Sequence, residues 1–344
     1  MLLKKVSLYF NTLKYLRWCQ VSYRLRYRFL PIRKGRVGRL QPLVVSKWAF
    51  DAPTVLKKSL WSGRHVEFLN KTDAVNSAHD WDDPAADKLW LYNLHYFDDL
   101  NASGSEERVD IQKSSILQWI EKNPPIHGNG WEPYPTSLRL VNWIKWCQRN
   151  EIYDDVILFS ILEQAQALNR QLEFHILGNH LFANAKALCF VGAFFNDKRA
   201  EMLLVKGLDI LNSQIEEQFL SDGGHFELSP MYHCILLWDL LDLFNLAYSC
   251  KNALVTHHKD EWCSTIENAL EWMKTMVHPD GDICFFNDSA FGISAAPKQI
   301  FNYAALLGFN SNNVLRRTSK CLPDSGYSRL VKGPFTLFFD HAQV

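Results

Sequence analysis

The sequence predicts a mainly α protein: seven or more helices in succession curving into a toroid or incomplete barrel, with a basic helical extension before them and a short β-hairpin after them. Three observations predict it. From about Trp90 onward, apolar residues recur at spacings of three and four, as in Leu158, Ile161, Leu162, Ala165 and Leu168. The breaks between these runs are short and made of turn-formers: Asn123-Pro124-Pro125, Gly223-Gly224 and His278-Pro279-Asp280-Gly281-Asp282. Near the end the pattern switches, and GYSRLV and FTLFFD flank Lys332-Gly333-Pro334 as two strands around a turn.

Taken in order, the chain opens with a strong charge skew. No Asp or Glu precedes Asp51, yet twelve Lys and Arg lie between Lys4 and Lys47. The remaining 294 residues hold 25 basic and 37 acidic side chains, so the net charge of zero conceals a −12 body. Leu3, Val6, Tyr9, Phe10, Leu13, Leu16 and Trp18 fall near helical spacing with basic residues between them. This helix either rests on an anionic membrane surface or a partner, or packs on the rest of the chain. Lys14 and Arg17 interrupt the apolar stretch and no small-x-small site follows before Trp18, which argues against a standard secretory signal. Pro31 to Leu43 reads as irregular, and Trp48 to Asp83 as mixed.

Helices are then expected over 92–101, 109–122, 136–150, 153–171, 176–195, 198–219, 229–250, 258–277 and 297–307. Short connections pair successive helices antiparallel. No repeat of fixed period is visible, which excludes a solenoid of TPR or HEAT type. An isolated hairpin is marginal in water, and Phe335-Thr336-Leu337-Phe338-Phe339 would leave a sticky edge, so the last residues read as the opening of a truncated β-domain. The expected division is an extension over 1–85, helical toroid over 86–310, and β-domain start over 311–344.

Composition narrows the class. With 47% hydrophobic, 13% aromatic and 22% charged residues, the 344 residues are neither disordered, collagen-like nor a small disulfide scaffold. No apolar run approaches the length of a membrane-spanning helix. The eight cysteines show no CxxC pair and no Cys/His metal spacing, and several, such as Cys189 and Cys234, sit inside apolar helical patterns as small core residues. GxSxG, P-loop and GxGxxG motifs are absent, and His175 and His180 are five apart, the wrong spacing for a zincin pair. Nothing points to a nucleic-acid partner.

Four segments concentrate polar groups in apolar surroundings: 91–100 with Asn93, His95 and Tyr96; 130–143 with Trp131, Glu132, Tyr134, Arg139 and Asn142; 173–188 with Glu173, His175, Asn179, His180 and Asn184; and 222–240 with His225, Glu227, Ser229, Tyr232 and His233. Asn179 and His180 follow Gly178, and Asn184 lies one turn beyond His180 on the same helical face. Amide and imidazole donors suit an anionic ligand such as a carboxylate without a metal; the alternative is a helix junction satisfying its own backbone ends. Ser229-Pro230 opens a helix with a cap and a first-turn proline, which would put Tyr232 and His233 at its mouth. A tyrosine can act as general acid or base if cationic or amide neighbours lower its pKa. Glu132, Glu173, Glu227 and Asp288 could furnish a glycosidase pair, but no spacing singles one out.

The phrases LWLYNLHYFDDL, GWEPYPTSLRLVNW, EFHILGNHLFANAKAL, DGGHFELSPMYH and FFNDSAFG, spread over roughly residues 88 to 330, together resemble the heparinase II/III and alginate-lyase-like family of polysaccharide lyases. The basic start LKYLRWCQVSYRLRYRF resembles members associated with bacterial surface-polysaccharide clusters. The resemblance implies an incomplete α/α toroid followed by a β-sandwich, and β-elimination on a uronic-acid-containing polysaccharide, with the form lacking the sandwich expected to be inactive or weak. By position, Asn179 and His180 match the pair that neutralises the uronate carboxylate, and Tyr232 matches the tyrosine that donates to the leaving oxygen and in syn elimination can also take the proton. Trp131, Arg139, Glu173 and His233 are the accompanying substrate-cleft or supporting candidates. Asn287 and Asp288 lie in a family phrase and would hold a loop. The family's further catalytic histidine, and a metal in some members, come from the sandwich, so no cofactor or metal is expected in this portion. The implied partner is an acidic polysaccharide. Family resemblance favours the cell envelope, whereas the absent signal and free cysteines favour the cytoplasm. The rival readings are a non-catalytic glycan-binding or vestigial protein, and an α/α-barrel hydrolase.

Overall fold

The computed structural model describes residues 11, 14–30, 44–50, 52–62, 64–250, 252–310 and 318–342. The expectations for Leu3 to Phe10, Leu13 and the irregular stretch Pro31 to Leu43 lie outside them. Among the described residues there are eleven α-helices and two small sheets.

Helix starts follow from local chemistry. Asp87, Asp154, Asp197 and Asn252 cap their helices by accepting first-turn N–H groups, and Ser229 accepts from the Tyr232 N–H with Pro230 at the first position. The resulting helices are α1 (Trp18–Phe29), α2 (Lys88–Tyr96), α3 (Val109–Lys122), α4 (Pro133–Asn150), α5 (Asp155–Leu168), α6 (Gly178–Phe194), α7 (Lys198–Gln218), α8 (Pro230–Ser249), α9 (Ala253–Thr256), α10 (Lys259–Thr275) and α11 (Pro297–Leu306). Where 92–101 was expected as one helix, α2 ends at Tyr96 because Phe97 takes a left-handed conformation (φ 60°), and a 3-10 turn over Asp98–Asn101 follows.

Inner and outer helices alternate. α2, α4, α6, α8 and α11 pack in sequence as an inner row, and α3, α5, α7 and α10 pack behind them. This is the incomplete toroid. α6 is its centre, with every residue from Leu181 to Phe194 buried, as a helix surrounded on all sides requires. Its hairpin with α7 closes to backbone distance through two glycines. A Cβ on Gly192 would lie 2.5 Å from the Leu204 Cβ, and one on Gly207 would lie 2.7 Å from the Cys189 sulfur.

A buried ionic network joins the inner helices. Lys186 reaches Asp239 and Asp242 at 2.6 Å each, Lys145 reaches Asp242, and the Tyr303 hydroxyl donates to Asp242 at 3.0 Å. Two cations and two anions offset one another, so the cluster is satisfied as a set; removing one member would leave a buried charge uncompensated, at a cost of about 3–5 kcal/mol.

The segment before α2 is more ordered than the sequence reading allowed. Strands β1 (Leu60–Ser62), β2 (His65–Phe68) and β3 (Lys71–Ala74) form an antiparallel meander. The N–H groups of Ser59 and Leu60 both donate to Asp99, which also pairs with Arg108. Trp48, Phe50, Leu60, Val66 and Trp81 share one core with the helices up to Phe309. α1 packs on the body through one face: Tyr23 lies 4.7 Å from Phe174, the Tyr27 hydroxyl donates to the Leu172 carbonyl at 2.6 Å, and Arg17 pairs with Glu217.

The C-terminal hairpin gains a third strand, giving a sheet of β4 (Lys320–Leu322), β5 (Tyr327–Lys332) and β6 (Phe335–Asp340). Its anchors explain why so small a sheet persists. Leu322 and Tyr327 form a second cluster with Trp272, Met276 and Cys284, and Arg329 donates to the carbonyls of Lys274, Thr275 and Val277 at the end of α10.

Candidate active site

The loop from Leu172 into α6 builds one wall. The Glu173 N–H donates to the Asn184 side-chain oxygen at 2.8 Å, and the Asn184 amide returns a bond to the Glu173 Oε2 at 2.9 Å while also reaching Ser137. The second carboxylate oxygen of Glu173 is thereby fixed 2.9 Å from the His180 Nδ1. His180 is partly exposed and its ring lies 4.3 Å from that of Tyr134, whose hydroxyl shares a hydrogen bond with Asn179. Asn179 and His180 therefore both rest on Tyr134. Burial pushes the Tyr134 phenol up, so it stays a neutral partner.

Backbone strain marks this junction. Leu177 (φ 70°, ψ −154°) and Gly178 (φ 59°) are successive positive-φ residues, and the first has a side chain that disfavours it. Such a conformation costs on the order of 1–3 kcal/mol and persists only where the surroundings impose it. It turns the uncapped N-terminus of α6, with Asn179 and His180 in its first turn, outward. N–H groups at a helix start favour an anion, which is the charge type that amide and imidazole donors suit.

The opposite wall comes from the turn before α8. Gln218 ties it to the first by donating to the Gly178 carbonyl at 3.0 Å while its oxygen faces the His225 Nε2 at 3.3 Å. Leu228, also at positive φ (56°), is held through its carbonyl by the Tyr327 hydroxyl at 2.6 Å and the Asn287 amide at 2.8 Å. Ser229 donates to the Asp288 carbonyl at 2.8 Å. Tyr232 stands in the first turn of α8, half-buried, its hydroxyl without a hydrogen-bond partner among the described residues. Burial, Asp288 and Glu227 raise its pKa. Burial and Asp288 raise that of Glu227, against which His180 acts. Glu227 lies close to both walls: its carboxylate would sit 3.3 Å from a Cβ on Gly178, and it acts electrostatically on Tyr232 and feels His180.

Desolvation, Asp288 and Glu227 raise the Tyr232 pKa rather than lower it, so the resting phenol is a proton donor. Three of the substrate-binding candidates are also reassigned by burial. Arg139 is fully enclosed, its guanidinium donating to Gln164, the carbonyls of His95 and Gly130, and Thr136, with Trp119 3.9 Å away. Trp131 is enclosed and donates to the Asn123 carbonyl. His233 lies inside the first turn of α8 rather than at its mouth, its Nε2 on the Ala269 carbonyl and its ring 4.3 Å from Trp272. None of the three can touch a polymer in the cleft. Glu173 is buried and fixes the His180 ring from behind. Asn287 ties its loop to the Leu228 carbonyl and the Tyr327 hydroxyl, and Asp288 contributes both a backbone acceptor and a charge.

Sequence reasoning named Tyr134 only among the polar residues of 130–143, with no role, and did not name Gln218. Tyr134 sits in the phrase GWEPYPTS, so a signal existed; Gln218 closes an otherwise ordinary amphipathic helix and gave none. Tyr96, 6.0 Å from Tyr134, and Tyr92, bonded to Glu132, extend an aromatic row from α2 towards His180. Among the described residues no group of three or more His, Cys, Asp or Glu could hold a metal ion.

Residues 101–316 match the family described as Heparinase II/III N-terminus. A heparin-sulfate lyase of Bacteroides stercoris is 33% identical over 216 residues, covering 54% of this chain and 32% of that protein. One from Pedobacter heparinus is 32% identical over 202 residues, covering 55% and 30%. The chain therefore spans about a third of the length of these relatives. Among solved structures, a heparinase III aligns over 95% of this chain and 57% of its own, with a TM-score of 0.53 at 18% identity, a likeness of fold. The matched span contains both walls of the cleft and all the helices of the toroid from α3 to α11, and by it the chain belongs to the heparinase II/III family, as that family's N-terminal domain.

Proposed function

We propose that the chain is the toroid wall of a polysaccharide lyase that cleaves a uronic-acid-containing polymer by β-elimination. One observation supports the reading: an Asn179–His180 pair is held by Tyr134 and Glu173 at an uncapped helix start, and Glu227 beside it links that start to the turn carrying Tyr232. The relatives named heparin-sulfate lyases support the reaction class.

The chemistry divides as follows. Asn179 and His180 take the uronate carboxylate, so that charge developing as the C5 proton leaves is spread onto bound donors. The C5–H electron pair forms the new double bond, the glycosidic C–O bond breaks, and Tyr232 protonates the departing oxygen. A phenol whose pKa is raised suits that donor role, and proton abstraction then falls to a separate base, a part that the resemblance gives to a histidine of a following β-domain. Trp131, Arg139 and His233 serve the walls rather than the substrate.

The test is product mass. Elimination on a uronate polymer yields a new unsaturated end and fragments summing to the mass of the parent. Fragments heavier by one water would identify a hydrolase and overturn the reading. A second reading, acidic-glycan binding without turnover, is favoured by the raised Tyr232 pKa, which disfavours a phenolate as the base. Retained binding of acidic oligosaccharide with no unsaturated product would select it.

A further inference from the structure

We infer that α1 docks this protein on an anionic lipid surface. The helix has two faces. Tyr23 and Tyr27 turn inward, onto Phe174 and the Leu172 carbonyl. Trp18, Leu25 and Phe29 turn outward, 79%, 50% and 72% exposed, and at 100° per residue they fall within about 40° of one another. Leu30, just beyond the helix, is 63% exposed, and Tyr15, just before it, 79%.

Charge frames this face on both sides. Arg26 and Arg28, both exposed, flank the apolar stripe at about 80° to either side. Arg17 and Arg24 lie further round and are turned to the body, the first on Glu217, the second on the His175 carbonyl. No acidic residue occurs in α1 or anywhere before Asp51. An apolar stripe edged by arginines, with aromatic residues within it, is the arrangement by which a helix lies in the interface of a negatively charged bilayer. At 12 residues α1 spans about 18 Å, and no helix among the described residues is long and apolar enough to cross a membrane. Its geometry is that of a helix lying on the surface.

Other occupants fit less well. An acidic glycan would pair with the arginines but leave Trp18, Leu25 and Phe29 in water. A second copy packed on the same face by a two-fold axis would bring two arginine-edged faces together with no acidic residue on either helix to offset them. A lipid surface satisfies both components at once. Because the inner face of α1 holds the Leu172–His175 loop, and Glu173 in that loop fixes His180, docking would bring the α6 edge of the cleft next to the bilayer.

The test is sedimentation of the whole protein with vesicles, independent of any turnover. With equimolar phosphatidylglycerol and phosphatidylcholine the protein should pellet; with phosphatidylcholine alone it should stay in the supernatant. W18S/L25S/F29S, all at exposed positions, should abolish pelleting while leaving helical content and melting temperature unchanged. R26Q/R28Q should weaken it by about fivefold per charge removed, and more weakly at high salt. Equal behaviour with both vesicle types, or pelleting unaffected by the triple serine variant, would overturn the inference. So would capture by a soluble acidic polysaccharide that the triple variant loses in the same proportion, because the face would then be a glycan surface.

Discussion

Arg139 carries a guanidinium into the interior with no carboxylate beside it. Four acceptors and the Trp119 ring take its place, in a planar fork that an ammonium cannot reproduce. Arg139→Lys should therefore lower stability by about 2–4 kcal/mol through unmatched buried acceptors, read as a shift of the urea midpoint. A substrate-binding Arg139 would instead raise KM and leave the midpoint unmoved. The residue also shows how far one sequence reaches. Arg139 stands in a polar phrase beside Glu132 and Tyr134, and residue type alone cannot tell an arginine that faces a ligand from one that ties four backbone and side-chain acceptors together. Asn179 and His180 were legible because three neighbouring polar residues at a glycine-opened helix start have few other uses. The same logic misled at His233, adjacent to Tyr232 in sequence but about 100° around the helix and thus inside it.

At the scale of elements, the start of α8 is held in place by the small C-terminal sheet. Tyr327 in β5 donates to the Leu228 carbonyl and accepts from Asn287, and Leu228 precedes the turn that carries Tyr232. Tyr327→Phe removes a 2.6 Å bond to a strained turn and leaves the Leu228 carbonyl with Asn287 alone. It should lower stability by about 1 kcal/mol and reduce turnover by a larger factor than that loss explains, since small displacements of a proton donor are costly in rate. Unchanged kinetics in a folded Tyr327→Phe variant would remove the sheet from the site. The helices around this latch were legible within one to three residues at most ends because amphipathic spacing is a long signal. The meander over β1–β3 was not: its strands have three or four residues, β3 is mostly exposed, and no alternation survives over so short a span. β4, three residues long, was missed for the same reason.

At the scale of the molecule, His95, His225 and His233 are buried neutral, and burial holds each pKa down to about 3. His95 accepts from Trp119 and faces the Trp81 carbonyl, leaving no room for a second ring proton. In the unfolded chain each would take a proton near its ordinary value of 6.5. Their contribution is therefore complete above pH 6.5 and is lost as pH falls towards 3, at about 4 kcal/mol per pH unit once all three bind protons on unfolding. Asp98 works the other way. Burial raises its pKa to about 6, so its contribution is present below about pH 4 and disappears as pH rises through 6. Between pH 6 and 4 it offsets one of the three protons, leaving a loss of roughly 3 kcal/mol per unit. The urea midpoint at pH 5 should lie well below that at pH 7.5; an equal or higher midpoint at pH 5 would show that these histidines are charged in the folded protein.

If Asn179, His180 and Tyr232 form a lyase site, unsaturated-end formation on one uronate polymer should follow Tyr232, compared side by side in a form that carries the base-supplying β-domain and in its Tyr232→Phe variant. Ultraviolet-absorbing product is expected from the first and a loss of at least 100-fold in the second, with oligosaccharide binding retained, because only the proton for the leaving oxygen is removed. Equal rates, or cleavage that yields no unsaturated end, would contradict that assignment.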